Sequence, residues 1–319
     1  MAGSRANQSF DVMTFGDLCV DLIMTGPDVT PQFGQVEKLV EDYTLEMGGS
    51  CCIFACQAAK LGLRTAVVGR VGDDPFGHLI LRRLHECGVD TRHVIVDPIR
   101  KTGIGLALCP PGDRAILTYI GTINAVFPED VTGDLLRSTR HLHHGSYYLH
   151  TNLRPAMAEI FKRAHHLGLT TSLDTNWDPA EEWEGRPKEG RLSQVLANTD
   201  IFMPNDQEAV RIHQALSGVE RGLKEAASYF LQHGPRLVTI KAGAKGARVY
   251  SPTEFFDRAV QPVSGGDSIG AGDSFDAGFL AGWLRGLSIE RCLEIASSCG
   301  RSVASQIGGL AGQLTLHDL

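Results

Sequence analysis

Short apolar runs alternate with longer amphipathic segments along most of this chain. The runs 11-DVMTFG-16, 65-TAVVGRV-71, 170-TTSLD-174, 200-DIFMP-204 and 236-RLVTIKAG-243 have the length and near-continuous apolar character of buried strands. Between them, residues 50–61, 75–87, 153–167, 206–215, 220–233, 273–285 and 289–305 repeat their apolar positions with the period of a helix. Strands separated by helices predict a mostly parallel sheet covered on both faces, an α/β fold.

Two stretches break that rhythm. Residues 20–47 and about 98–127 contain alternating segments such as 103-GIGLALC-109 and 114-RAILTYI-120, the latter pair joined by the turn 110-PPGD-113. These predict β-hairpins rather than strand–helix–strand units. Together they make a small sheet that lies across the main body as a lid, closing a pocket at the ends of the parallel strands. No internal repeat and no Pro/Ser-rich linker interrupts the chain, so residues 1–319 are expected to form a single domain with the lid segments inserted in its core.

Composition narrows the class. The chain has 319 residues, 43% hydrophobic and 21% charged, as ordinary globular proteins do. Its formal charge of −7 argues against a general nucleic-acid or anionic-membrane surface, yet leaves room for a local phosphate pocket. No apolar run reaches the roughly 18 residues of a membrane span, and MAGSRANQSFD lacks the apolar core of a signal peptide. The eight cysteines lie mostly in apolar segments, which predicts reduced core thiols in a cytoplasm. Cys51-Cys52-x3-Cys56 lacks the paired spacing of a zinc site. In 141-HLHHGSYYLH-150, His141 and His143 share one strand face without a compact set of further ligands, so half-exposed strand residues are expected there.

The stretch 265-GGDSIGAGDSFDAGF-279 carries candidate chemistry. Glycines lower helix propensity, yet Gly270 and Gly272 stand where a helix begins. A helix N-terminus offers unpaired N–H groups and partial positive charge, so a phosphate can approach the backbone between Ile269 and Asp273. The same field favours the ionised carboxylate of Asp273, placed to accept a proton from a hydroxyl during phosphoryl transfer. Taken alone, the motif serves equally well as a glycine-rich loop with Asp273 as a helix cap. Neither GxxxxGK[S/T] nor a GxGxxG after the first strand is present, which disfavours a P-loop ATPase and a Rossmann dehydrogenase.

With 47-MGGSCCIFACQAAKLGLRTAVVGRVGDDPFG-77, the segment 268-SIGAGDSFDAGFLAGWL-284 resembles the paired signatures of the ribokinase-type (PfkB) carbohydrate kinases. The pieces 16-GDLCVD-21, 174-DTNWDP-179, 204-PNDQEA-209 and 239-TIKAGAKGA-247 follow in the family's order, from about residue 11 to 310. The resemblance implies a three-layer α/β/α fold with a β-sheet lid. It also implies transfer of the γ-phosphate of ATP to a hydroxyl of a sugar or nucleoside, with Mg²⁺.

Site residues follow from the same resemblance. Asp273 matches the catalytic base, and Gly270, Ala271 and Gly272 match the anion hole. Asp17 matches a carboxylate that binds substrate hydroxyls; Asp21 stands close by, either in the same role or as a strand-edge carboxylate. Gly48 and Gly49 match glycines that admit substrate. Asn205 and Glu208 match a motif near Mg²⁺ and the phosphates, with Glu208 acting through water, and their spacing equally suits a helix cap. Lys241, Gly243 and Gly246 resemble a nucleotide-binding loop. Asp267 and Ile269 lie where a monovalent cation, potassium, shapes the anion hole. Asp174 and Asn176 serve either the site or a turn, and Tyr119 either substrate or the hairpin core. Ile53 stands where many members carry an asparagine that reads a sugar hydroxyl, which implies fewer hydroxyls to satisfy or a water in their place. A sugar kinase is therefore expected, with a nucleoside kinase or a catalytically silent sugar-binding protein as alternatives, and the lid implies a homodimer.

Overall fold

The computed structural model describes residues 8–111, 113–186 and 188–319. Its strands are β1 (Val12–Gly16), β2 (Cys19–Thr25), β3 (Asp42–Gly48), β4 (Thr65–Gly72), β5 (Asp90–Asp97), β6 (Gly103–Cys109), β7 (Ala115–Tyr119), β8 (His141–His144), β9 (Thr170–Leu173), β10 (Ile201–Phe202), β11 (Leu237–Lys241), β12 (Ala247–Tyr250) and β13 (Phe255–Arg258). Its helices are α1 (Ser50–Lys60), α2 (Pro75–Glu86), α3 (Gly133–Arg137), α4 (Arg154–His166), α5 (Leu192–Leu196), α6 (Asp206–Ser217), α7 (Leu223–Gln232), α8 (Ala271–Trp283) and α9 (Ile289–Ala304).

Nine strands form the large sheet in the order β13-β12-β11-β10-β9-β8-β1-β4-β5, parallel except for the terminal hairpin β12–β13. One face is covered by α4, α6 and α7, whose apolar side chains meet Phe15, Leu142 and Phe202. The other face carries α1, α8 and α9. Helix α1 is buried from Cys51 through Ala58 and α8 from Ser274 through Gly282, so neither shows a polar stripe. Helices apolar all round belong in a protein's centre, and here their N-termini converge at the carboxyl ends of the strands.

The second sheet has the order β3-β2-β6-β7. Its strands arise from the two stretches that break the strand–helix rhythm, while residues 26–41 between β2 and β3 carry no regular strand or helix. Strand pleating places Asp21, Gly105 and Thr118 on one face and Val20, Ile104 and Tyr119 on the other. Tyr119 thus lies on the face opposite Asp21 and is exposed.

The expectation for 141–150 is overturned. His141, His143, His144 and His150 are fully buried, because β8 lies in the middle of the large sheet between β1 and β9. Ring nitrogens of the three β8 histidines meet β9 hydroxyls and a β1 carbonyl instead of solvent: His141 with Thr170 and Ser172, His143 with Ser172, and His144 with the Phe15 carbonyl oxygen. Burial pushes His141 down to about 3, so the ring is neutral. All eight cysteines are free thiols. No helix among the described residues is long and apolar enough to cross a membrane.

Candidate active site

The carboxyl end of β1, the starts of α1 and α8, and the ends of β9 and β11 meet in one cleft. Asp17 follows β1 and is buried; its oxygens accept the N–H groups of Ser50 (2.8 Å) and Cys51 (3.2 Å) and the Ser146 hydroxyl (3.1 Å). The carboxylate therefore fixes the start of α1, whose own cap residue, Gly49, has no side chain to do so. A hydroxyl network extends from it. The Ser50 hydroxyl lies 3.0 Å from that of Ser146 and accepts the Asn176 amide (2.9 Å). Ser50 and Ser146 carry no sequence signal of their own; only the fold brings them to Asp17.

Asp21 reaches into the cleft from the small sheet. Cβ atoms on Gly48 or Gly105 would collide with its carboxylate, so both glycines exist to make room for it. Burial, then the neighbouring Asp17 charge, pushes Asp21 up to about 7.

Gly270 starts α8 in the left-handed conformation at φ 71°, which turns the backbone so that Ala271, Gly272 and Asp273 occupy the first helical turn. No backbone N–H of α8 donates to the Asp273 carboxylate among the described residues, so it does not cap its own helix. Burial, then the Asp174 charge, raises Asp273 to about 7, with Lys241 and the Ser50 hydroxyl acting in the opposite direction. The expectation that the helix start keeps this group ionised is thus corrected: in the unliganded site burial first, and the Asp174 charge second, raise the group despite its place at the start of α8.

Ile53 also departs from expectation. It is 2% exposed and packs against Gly270 and Gly309 on the underside of the anion-hole turn. Its side-chain surface is thus taken up by protein contacts rather than by solvent.

Asn205 and Glu208 form a reciprocal cap of α6: Asn205 Oδ1 accepts the Glu208 N–H (2.9 Å), and Glu208 Oε2 accepts the Asn205 N–H (2.8 Å). Glu208 is buried, and desolvation followed by the Asp174 charge moves it up to about 8. Lys241 does not extend into solvent. Its ammonium donates to Asp174 Oδ2 (2.7 Å) and to both oxygens of Asp276 (3.1 Å each). Gly243 (φ 53°) and Gly246 (φ 92°) shape the turn between β11 and β12. Lys241, Gly243, Gly246, Ala271 and Gly272 line one cavity of about 270 Å³, together with the apolar Val260, Pro262, Phe275 and Ala304. Asp267 accepts the Ile269 N–H (2.8 Å) and the Gly308 N–H (2.9 Å), tying the loop before α8 to the loop after α9.

Asp273, Glu208, Asp174 and Asp276 thus gather within electrostatic reach of the Lys241 ammonium, a surplus of carboxyl groups over the one cation that faces them. That surplus fits a hydrated divalent cation. Among the described residues no three His, Cys, Asp or Glu side chains form a metal cage, as suits Mg²⁺ held mainly by water and phosphates.

The pfkB family carbohydrate kinase model matches residues 9–315. This chain belongs to the pfkB family. It is 32% identical over 263 residues to an ATP-dependent ribose-1-phosphate kinase of Halopiger xanaduensis, covering 82% of this chain and 81% of that one. It is 26% identical to a 5-dehydro-2-deoxygluconokinase of Shouchella clausii, covering 99% and 96%. Among solved structures it resembles a putative ribokinase II from E. coli in complex with ATP and Mg²⁺, with TM-score 0.85, 26% identity and 97% coverage of both chains. The fold is also that of Arabidopsis thaliana ribokinase, with TM-score 0.79, 20% identity and coverage of 97% of both chains. The pfkB protein is an ATP-dependent sugar kinase that uses ATP and Mg²⁺. Neither a nucleoside kinase nor a silent binder is favoured.

Proposed function

We propose that this kinase phosphorylates a hydroxyl, primary in character, of a small sugar or sugar derivative, with Asp273 as the base. The observation that carries this reading is the convergence of Asp273 with the Ser50–Asp17 network on one side and the 270–272 backbone on the other. Asp17, Asp21 and the Gly48–Gly49 backbone bind and orient the acceptor, and the hydroxyl to be phosphorylated points at Asp273. The acceptor oxygen bonds to the γ-phosphorus, the bond to the β-phosphate oxygen breaks, and ADP leaves. The hydroxyl proton passes to the Asp273 carboxylate. Preorganised N–H groups of Gly270, Ala271 and Gly272 face the charge on the transferred group.

The nucleotide occupies the 270 Å³ cavity, its base against Val260, Pro262 and Ala304 and its phosphates toward Gly272. Glu208, with Asn205 fixing its carboxylate, holds Mg²⁺ through water; the ion when bound neutralises phosphate charge. A monovalent cation sits at Asp267 and the Ile269 backbone beside the anion-hole turn. Turnover in potassium against turnover in tetramethylammonium tests this. The small sheet acts as the lid of a single domain, with its segments inserted in the large sheet's chain. Its outer face carries exposed Tyr43, Leu45 and Leu117, an apolar patch that suits a second copy of this chain. A cytoplasmic location agrees with the use of ATP and with eight free thiols.

A panel of neutral sugars, sugar acids, sugar phosphates and nucleosides, offered with Mg-ATP and read by mass, tests the reading. A phosphorylated sugar-class product is expected. Sugar binding without product, or exclusive nucleoside turnover, would overturn it.

A further inference from the structure

Asp276 lies one helical turn beyond Asp273, on a stretch of α8 that is otherwise apolar and buried. Nothing in the reaction described above uses it. An ionised or acidic group at zero exposure is costly unless something nearby requires it. Its partner is Lys241, whose ammonium lies 3.1 Å from both Asp276 oxygens and 2.7 Å from Asp174. Burial alone would push this ammonium down, but the carboxylates of Asp174 and Asp276 outweigh it and hold it charged.

The cluster sits where the phosphoryl chemistry meets. A Cβ placed on Gly272 would lie 3.8 Å from Lys241 Nζ, so the fixed charge is directly under the anion-hole turn. The Lys241 backbone N–H donates to the Pro204 carbonyl, and Asn205 bridges to Lys241, which joins the cluster to the cap of α6. Asp174 directly follows β9, Lys241 ends β11 and Asp276 belongs to α8. One ammonium therefore locks three elements that each carry part of the site.

We propose that Asp276 is a positioning residue for phosphoryl transfer: with Asp174 it anchors the Lys241 ammonium beneath Gly272 and fixes the 270–272 turn against the strand ends. Lys241 is then a charge built into the scaffold rather than a mobile arm that follows the nucleotide. This rests on the kinase reading given above. Neutralising Asp276 frees Lys241 to shift, and a displacement of about 1 Å at such a site costs about 10²-fold in rate.

The test compares wild type with Asp276→Asn, which keeps the shape, and Lys241→Met, which keeps the methylene packing. We expect kcat to fall about 10–100-fold in each, and in Asp276→Asn we expect acceptor KM and Mg-ATP affinity to stay within about threefold of wild type. The thermal midpoint of Asp276→Asn should stay within a few degrees of wild type. The double variant should lose no more kcat than the worse single one, as groups acting as a unit do. Unchanged kcat in Asp276→Asn overturns the inference, as does a kcat loss that merely follows a loss of folded protein. A wild type without turnover overturns the kinase reading as well; an active wild type beside an equally active Asp276→Asn overturns this inference alone.

Discussion

Ile53 packs directly against Gly270: a Cβ on Gly270 would lie 2.9 Å from Ile53 Cγ2, and the isoleucine is 2% exposed. The phosphate turn therefore rests on an apolar floor supplied by α1. Ile53→Asn buries an amide with no polar neighbour assigned to it, at a cost of about 1–3 kcal/mol. The expected outcome is a lower unfolding midpoint in urea and a lower kcat, with acceptor KM unchanged. A gain in acceptor affinity would show that this position reads substrate after all.

Asp21 makes the protein's stability depend on pH. Its folded value is raised to about 7, by burial first and the Asp17 charge second, above the ordinary aspartate value of 3.8. A raised group contributes stability that is fully present below the unfolded value and is lost as pH rises through the folded one. Unliganded Asp21→Asn should therefore gain stability over wild type as pH rises from about 4 to about 7 and hold that gain above it, read as the difference in melting temperature. It should also bind acceptor more weakly at every pH. A melting difference that is flat across this range contradicts the assignment.

The outer face of the small sheet gives a prediction about mass. Leu117 is 63% exposed and Tyr43 is 65% exposed on the face of the small sheet that also carries Val20 and Ile104. Light scattering should find twice the 34.5 kDa protomer mass, and Leu117→Glu should return it to one protomer. A wild type that is monomeric at high concentration removes the dimer.

The glycine–aspartate turn, the strand–helix alternation and both small-sheet hairpins are legible because each has a local signature in period or turn residues. The central burial of strand β8 is not legible. Its HLHH run looks polar, and only pairing with Thr170 and Ser172 makes central burial affordable. Strand β5 hides similarly, since DTRHVIVD is an edge strand with half its side chains in water. For Asn205 and Glu208 the spacing leaves cap and ligand open, and the structure gives both caps while leaving Glu208 beside the cleft. Asp276 had a readable signal, a carboxylate inside an apolar helix, but its meaning depends on Lys241 arriving from β11. Which way Ile53 points depends on how α1 packs, and no spacing rule supplies that.

The central claim is that Asp273 takes the acceptor proton. The most direct measurement is single-turnover phosphorylation of the best acceptor by wild type and Asp273→Asn across pH 5–9. Asp273 is raised to about 7, by burial and then the Asp174 charge, so the free wild-type enzyme should gain kcat/KM as pH rises through about 7. Asp273→Asn should lose about 10²–10⁴-fold in turnover and lose that acid limb, while binding Mg-ATP as wild type does. Equal turnover by the two proteins, or an acid limb that survives in Asp273→Asn, would contradict the account.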